Sequence, residues 1–291
     1  MIKHITFIFL LISAGNIYSQ ETYEKVFQTF KDTRVINTHS TEMLKAGYMD
    51  FRIGHRFGNI AGPGGGWQTF YGLENATDVV IGFEFGITDN IMFGINRAKG
   101  DGPLRQNVNS FVKVRIAEQD IDGSLPFSLA VLGLGSMSTM PKSPTEGRIT
   151  SFDRFAHRLA YHAELIASRK FSDYFSLQLS GAWTYRNIVP TEDKNDLVSL
   201  AIASRIQLTK SIGIILDGRY VFSELRSSDD SGYYPPLGIG IEWETGGGHV
   251  FQMNLTNASG ITQTDYIPYT QSNWLDGGYR LGFTIGRQFK I

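Results

Sequence analysis

Residues 197–222, LVSLAIASRIQLTKSIGIILDGRYVF, determine the predicted fold of this chain. On each side of Thr209–Ser211, apolar side chains recur at every second position, as in Val198, Leu200 and Ile202. A period of two is typical of a β-strand with one apolar and one polar face. Because the separating segment is so short, we predict that the two strands form a tight antiparallel hairpin.

The same alternation extends through most of the chain and predicts about twelve strands. Many of them reach the length of about nine residues that a tilted strand needs to cross the hydrocarbon core, whereas strands of soluble proteins cluster near five or six. Short connections alternate with long ones, as in outer-membrane barrels, whose short turns face the periplasm. The predicted strands are residues 47–57, 79–87, 91–97, 108–117, 127–137, 154–169, 175–187, 197–208, 212–222, 236–244, 249–257 and 278–291.

Aromatic residues collect at the two ends of these strands. Two such girdles are typical of transmembrane barrels, where aromatic rings lie at both membrane interfaces. The predicted outer girdle contains Phe57, Phe155, Trp183, Tyr185, Tyr220, Phe222 and Tyr279, and the predicted periplasmic girdle contains Phe171, Phe175, Trp243 and Phe289.

We therefore predict an all-β chain whose residues 47–291 form a single transmembrane antiparallel up-and-down β-barrel of about 12 strands. Both termini should lie in the periplasm, and the barrel in the cell outer membrane of a Gram-negative bacterium. A soluble β-sandwich or a lipocalin-like barrel is the alternative, with the apolar faces in a core. Strand length and loop alternation both count against it.

Composition excludes several classes of function. The 291 residues include no Cys, which removes disulfide scaffolds, zinc–thiolate sites and Cys nucleophiles. A formal net charge of -1 gives no basic excess for binding nucleic acid. The sequence has no zincin motif, no phosphate-binding loop and no nucleophile elbow. We predict no enzyme activity, no cofactor, no metal and no nucleic-acid partner.

The N-terminus has the three regions of a secretory signal peptide. Lys3 and His4 precede the apolar run Ile5–Gly15, and a polar stretch ends at the small residue Ser19. We expect cleavage near Ser19, so that residues 1–19 are removed. The apolar run is too short for a membrane-spanning helix.

Residues 20–46 precede the barrel and differ from it in pattern. Tyr23, Val26, Phe27 and Phe30 recur at helical spacing. Two interpretations are open: the segment is a plug that enters the lumen, or it is a periplasmic lead-in that caps the floor of the barrel.

One stretch of the sequence resembles part of a known protein family. Residues 49–58, MDFRIGHRFG, preceded by Thr33–Asn37 and followed by a Gly-rich connection, resemble an uncharacterised family of Bacteroidetes-type outer-membrane β-barrel proteins. Its distinctive part is the His-Arg-Phe-Gly signature in the first strand. The family has no established activity, so the resemblance implies fold and location only. The last strand departs from the usual barrel pattern because it ends on Ile291 instead of an aromatic residue.

The predicted lumen face carries more positive than negative charge. One interpretation is a pore that favours small anionic solutes, since a low-dielectric wall focuses the field of unpaired arginines. The other is a ladder of Arg and Glu side chains that fills a narrow barrel. The main candidates are Arg52, Arg56, Arg115, Arg158, Glu164, Arg186, Arg205, Asp217, Arg219, Glu242 and Arg280, and Asp50, Glu84, Lys113, Arg154, Glu244 and Lys290 share their parity.

His157 is the histidine best placed for catalysis, because it lies near the predicted outer rim, where a barrel phospholipase would hold its base. Ser136 and Ser138 on the neighbouring strand have the parity opposite to the lipid-facing side. The hydrogen-bonded Ser–His pair of a hydrolase is therefore not predicted.

The function predicted from these features is the passage or binding of small polar solutes, anions among them, by a barrel embedded in outer-membrane lipid. The alternative is a non-conducting barrel that docks a partner protein through its loops or its periplasmic floor. An outer-membrane lipid hydrolase is the third possibility.

Overall fold

The computed structural model describes residues 24–145, 147–227 and 231–291. Within these residues two short strands, β1 (Arg34–Val35) and β2 (Thr38–His39), precede a closed barrel of twelve antiparallel strands in which β14 pairs with β3. The barrel prediction is confirmed. The predicted signal peptide, residues 1–19, lies outside the described residues. The barrel strands are β3 (Tyr48–Asn59), β4 (Ala76–Thr88), β5 (Ile91–Ala98), β6 (Asn107–Ala117), β7 (Ser128–Ser138), β8 (Leu159–Lys170), β9 (Phe175–Arg186), β10 (Asp196–Gln207), β11 (Ile212–Phe222), β12 (Leu237–Thr245), β13 (His249–Thr256) and β14 (Arg280–Lys290).

The strand predicted at 154–169 begins later than expected, at Leu159. Phe155–Arg158 forms a short 3-10 turn instead. The Arg158 Nη1 atom donates to the carbonyl oxygens of Ser138 at 3.1 Å and Met140 at 2.6 Å. These contacts hold Arg158 over the end of β7, so that it is part of a loop and not of the barrel wall. This loop lies at the end of the barrel that carries the long loops, which is called the outer end below.

The outward face of the barrel is apolar and exposed. Leu179, Ile241 and Met253 are 56%, 55% and 60% exposed in the middle of their strands. A soluble protein rarely leaves a continuous apolar belt of this kind in water, whereas a membrane barrel presents it to lipid. At the outer end of β9, Trp183 stacks on Tyr185 with ring centroids 5.7 Å apart.

Residues 29–44, here called the lumen segment, lie inside the barrel. Asp32 binds Arg52 of β3, Asn37 binds Asp217 of β11, and Thr41 contacts Ser168 of β8. These three strands are well separated in the strand order of the closed barrel, so the segment contacts three sides of the lumen.

The lumen segment enters and leaves through the end of the barrel that carries the short turns and Ile291. Before it, residues 24–26 are extended, and the Val26 amide donates to the Gln119 carbonyl at 2.9 Å. The helical spacing seen in the sequence is therefore misleading for this stretch, because backbone pairing with the β6–β7 turn keeps it extended. After it, the chain passes so close to Gly86 that a Cβ atom there would collide with the Lys45 carbonyl oxygen.

The outer end of the barrel is covered by loops. The helices α1 (Glu224–Ser227) and α2 (Gln263–Tyr269) belong to two of them. Residues 263–268 of α2 are all buried. No helix among the described residues is long and apolar enough to cross a membrane.

Candidate functional site

The side chains that face the lumen are almost inaccessible to solvent. Lys113 and Thr184 are 0% exposed and Glu242 is 1% exposed, although all three point away from lipid. Polar side chains that line an open channel would be hydrated. The described part of the lumen is therefore filled, by the lumen segment from the terminal end and by the loop containing α2 from the outer end.

An ion-pair network joins the lumen segment to β3 and β4. The Arg52 guanidinium donates to Asp32 at 2.8 Å and to Asp50 at 2.8 Å. The Arg34 Nη2 atom lies 3.0 Å from the Glu84 carboxylate. All five side chains are buried. Because removal of one partner leaves an uncompensated buried charge, each pair is costly to break, at about 3–5 kcal/mol.

Lys113 holds the β1–β2 hairpin without a carboxylate partner. Its Nζ atom donates to the carbonyl oxygens of Thr33 at 3.3 Å and Ser40 at 3.0 Å. The same two residues close the hairpin, since the Ser40 amide donates to the Thr33 carbonyl at 2.9 Å. The wall thus binds the backbone of the lumen segment as well as its side chains.

The tip of the hairpin is held by groups from the wall and from the outer loop. The Asn37 amide and its side chain donate to the Asp217 carboxylate at 2.9 and 3.1 Å. Arg56 donates to the Asn37 side-chain oxygen at 2.6 Å. The Gln263 side chain of α2 reaches the Asn37 carbonyl at 3.5 Å. The lumen segment and the outer loop therefore meet inside the barrel.

His39 is fully buried in the lumen segment. Neither of its ring nitrogens has a hydrogen-bond partner in the part of the chain that the structure describes, and its ring packs edge-on against Phe111 at 4.8 Å. Burial lowers the pKa of His39 well below its usual value, and the nearby Arg34 and Lys113 lower it further. His39 is therefore held neutral.

A second buried network surrounds Glu164. Its carboxylate accepts hydrogen bonds from Ser180 at 2.6 Å and from Arg219, and it lies 3.2 Å from His162 Nε2. The His162 Nδ1 atom lies 2.9 Å from the Thr184 hydroxyl. These groups satisfy one another in a site that solvent does not reach.

Two carboxylates hold the outer loops, one to the wall and one to each other. Asp78 of β4 accepts from the amides of Gly100 at 2.7 Å and Ile261 at 2.8 Å. Asp265 of α2 accepts from the amides of Asp101 at 2.8 Å and Gly102 at 2.7 Å. Burial raises the pKa of Asp265 to about 7, and the neighbouring Asp78 contributes to the rise. We call Asp265 and these two amides the loop latch.

Beside the loop latch, Asp193 lies between two guanidinium groups. Arg186 donates to it at 2.8 Å, and Arg226 donates to both of its oxygens at 2.8 Å each. Burial alone would raise the pKa of Asp193, but the hydrogen bonds from Arg226 and Arg186 lower it to about 2. The carboxylate is therefore charged at any physiological pH.

Most of the charged residues proposed from the sequence are buried on the lumen side. Arg115 instead lies at the floor and bonds Glu118 at 2.6 Å, and Arg158 lies in an outer loop. The buried ones are Arg52, Arg56, Glu164, Arg186, Arg205, Asp217, Arg219, Glu242 and Arg280.

Of the two interpretations of the lumen charge, the one with ion-paired arginines describes Arg186, Arg205 and Arg219. Each is ion-paired, with Asp193, Glu242 and Glu164 respectively. Strand parity could not identify Asp193, because it lies in an outer loop.

Strand parity also misses other acidic groups that do not lie on barrel strands. Asp32, Asp193 and Asp265 all contribute carboxylates to the lumen or its outer mouth. The stretch Thr33–Asn37 stands out in the sequence only as part of a family resemblance. Arg34 and Asn37 in this stretch follow no period that would distinguish them from the residues of a periplasmic linker.

A hydrolytic site at His157 is not assembled. Ser136 and Ser138 are buried on the lumen side, and the His157 Nδ1 atom has no hydrogen-bond partner. Among the described residues there is also no cluster of three or more His, Asp or Glu side chains with the geometry to hold a metal ion.

Comparisons with solved structures find outer-membrane barrels. The NanC porin is 7% identical with a TM-score of 0.49, covering 84% of this chain and 100% of that one. The KdgM porin, solved in complex with disordered oligogalacturonate, is 8% identical with a TM-score of 0.47, covering 84% and 99%. An outer membrane channel from Pseudomonas putida F1 is 9% identical with a TM-score of 0.46, covering 86% and 98%. Similarities this low do not bear on function.

No curated protein matches the chain. A family described as a membrane bound beta barrel domain matches residues 30–289, which include both the lumen segment and the whole barrel. With a barrel of twelve strands, an apolar outer belt and this match, the chain belongs to the membrane-bound β-barrel domain family DUF5777.

Proposed function

We propose that this protein is an outer-membrane barrel that passes or binds small polar solutes, anions among them, and that the lumen segment is a plug. The observation that supports the plug is the chemistry of its contacts. Asp32, Arg34 and Asn37 bind the wall through ion pairs and hydrogen bonds. Water and ions can replace such contacts when the segment moves. The apolar contacts of the segment are gathered in two clusters, one around Leu44 and one around Phe30, Val35 and Ile36.

The floor of the barrel contains a cavity with more basic than acidic lining residues. The cavity has a volume of about 520 Å³, lies beside residues 27–31 and is lined by Lys31, Lys170, Arg205 and Lys210, with Asp173 as its one acidic lining residue among those described. Lys31, Lys170 and Arg205 are ion-paired with Glu244, Asp173 and Glu242. Lys210 is the one of these four cations without an ion pair among the described residues, and its charge favours an anion in the cavity. In the proposed orientation this cavity faces the periplasm, as do both termini.

A non-conducting barrel that docks a partner protein is the second candidate. Phe27 is 74% exposed at the floor, where residues 24–26 pair with the β6–β7 turn. An exposed aromatic side chain beside a paired backbone strand is a feature that a protein partner can recognise. We assign no catalytic residue.

The chain contains no Cys, so a single engineered disulfide can test whether the lumen segment moves. The hydroxyl oxygens of Thr41 and Ser168 are in contact at 2.5 Å. A Thr41→Cys/Ser168→Cys variant should form a disulfide that fixes the segment to β8. In planar bilayers we expect no current from the oxidised variant and current after reduction, with Ser168→Cys alone as the control for reductant.

The possible outcomes of the bilayer experiment distinguish between the two candidate functions. Current that appears on reduction supports a movable plug. Equal current before and after reduction would show that the segment does not close the pathway. No current from either form, or from the parent protein, favours the docking barrel.

A further inference from the structure

The Asp193 carboxylate is bound as a ligand would be. It receives one hydrogen bond from Arg186 and a two-pronged pair from Arg226, all at 2.8 Å. The three side chains are between 1% and 5% exposed. Planar carboxylates matched to guanidinium groups in this way are the strong, geometrically selective ion pairs of proteins.

The two arginines are also held in place by groups other than Asp193. Arg186 projects from the outer end of β9 and donates to the Tyr269 hydroxyl at 3.2 Å. Arg226 donates to the Pro268 carbonyl at 2.8 Å and stacks over Tyr233, with 4.7 Å between the guanidinium carbon and the ring centroid. The pair is therefore positioned by the wall and by α2, whereas the carboxylate comes from the loop between β9 and β10.

We propose that Arg186 and Arg226 form a carboxylate-binding site at the outer mouth, which Asp193 occupies while the mouth is closed and which a small organic acid occupies when Asp193 leaves. This inference rests on the proposed function, since it names carboxylates as the class of anionic solute. Asp193 then takes the place of the solute while the mouth is closed. When a solute carboxylate replaces Asp193, the ion pairs of the two arginines with Asp193 are replaced by equivalent ion pairs with the solute.

The exchange explains how the site can be buried and still accessible. Two buried guanidinium groups without an anion would be strongly destabilising, so the site needs a resident carboxylate whenever no solute is bound. Since Arg226 joins Asp193 to the Pro268 carbonyl at the end of α2, a solute that displaces Asp193 also frees the β9–β10 loop from the loop containing α2.

The first test removes the internal carboxylate. Purified Asp193→Ala protein in detergent is melted in acetate and in chloride at equal ionic strength, beside the parent protein. A ligand that binds the folded state raises its melting temperature. We expect acetate to raise the melting temperature of Asp193→Ala by several degrees more than chloride does, and to raise that of the parent less, because in the parent it has to displace Asp193. We expect the effect to be lost in Asp193→Ala/Arg226→Gln.

Asp193→Asn serves as a second variant if Asp193→Ala does not fold, because it retains the shape of the side chain and removes only its charge. An equal response to acetate and chloride, or no response in the folded variant, would overturn the proposal and leave the arginines as structural ties between loops.

The second test uses the parent protein with succinate as the probe. Arg186 holds the Lys194 carbonyl, so departure of Asp193 should expose the peptide bond after Lys194 to trypsin. We expect succinate, but not chloride of equal ionic strength, to speed cleavage there, and Arg226→Gln to abolish the difference. Cleavage that succinate does not change would overturn the displacement. Both tests measure binding, so a positive result with no bilayer current would contradict solute passage and leave the carboxylate site standing.

Discussion

His39 lies among the cations Arg34, Arg52 and Lys113, and neither of its ring nitrogens has an acceptor. A histidine in these surroundings cannot take up a proton without placing one more positive charge among three others. In the unfolded chain the same imidazole has an ordinary pKa near 6.5. Below that pH the unfolded state therefore binds a proton that the folded state does not bind. The stability of the folded state falls as the pH is lowered.

We predict that His39→Leu removes this part of the pH dependence. Leu has no polar atom that would need a partner, so the variant should fold at neutral pH. Each pH unit below about 6 lowers the parent's free energy of unfolding by up to about 1.4 kcal/mol through this one group. The melting temperature of the parent should therefore fall more steeply with decreasing pH than that of the variant. His249→Gln, at the partly exposed floor, is the control. A difference that stays constant between pH 7 and pH 4.5 would contradict the assignment.

Among the larger elements, the outer loop containing α2 is held by hydrogen bonds and by a hydrophobic cluster of Tyr266 and Ile267 with Leu197 and Val221. Asp265 accepts the amides of Asp101 and Gly102 and so joins two loops that are distant in the sequence. With a pKa of about 7, the Asp265 carboxyl is present in both protonation states near neutral pH. A hydrogen bond to the charged state contributes about 1.5–3 kcal/mol and one to the neutral state about 0.5–1.5 kcal/mol. The loop latch is therefore one of the contacts that keep the outer mouth closed.

We predict that Asp265→Ala increases amide hydrogen exchange in residues 99–106 and 257–270 while exchange in the barrel strands stays slow. The matched control is Asp276→Ala, an exposed acid in the same loop. Exchange that rises equally in both variants would mean that the loop is held by other contacts.

The strands were predictable from the sequence to within a few residues, and the loops and the lumen segment were not. Strands β9 to β11 alternate between apolar and polar residues because lipid lies on one side of the wall and polar groups lie on the other. This alternation can be seen at each position of the sequence. Asp32, Asn37 and Asp265 are placed by pairing with groups far away in the chain, and no local period records such pairing. The 3-10 turn at Phe155–Arg158 resembles a strand in the sequence because its residues continue the alternation by chance.

At the scale of the whole molecule, the two ends of the barrel differ. The short turns, both ends of the lumen segment and the C-terminal end of β14 all lie at one end, and the long loops lie at the other. We propose that the end with the short turns faces the periplasm, because such barrels are inserted from that side. The orientation can be tested because any introduced cysteine is the only one in the chain.

We predict that Thr145→Cys, in the exposed loop after β7, reacts with a membrane-impermeant maleimide in intact cells. Ser211→Cys, in the exposed turn between β10 and β11, should react only after the outer membrane is opened. The opposite pattern of labelling would reverse the orientation and place the lumen segment at the cell surface.

Whether the lumen segment fills an otherwise polar barrel can be decided from the reactivity of one lumen side chain. Ser168 is 2% exposed and contacts Thr41. In Ser168→Cys protein refolded in detergent, a water-soluble maleimide should react slowly, and deletion of residues 24–44 should raise the rate toward that of Ser211→Cys, with circular dichroism verifying the barrel. A rate that is the same with and without the segment would contradict a filled lumen.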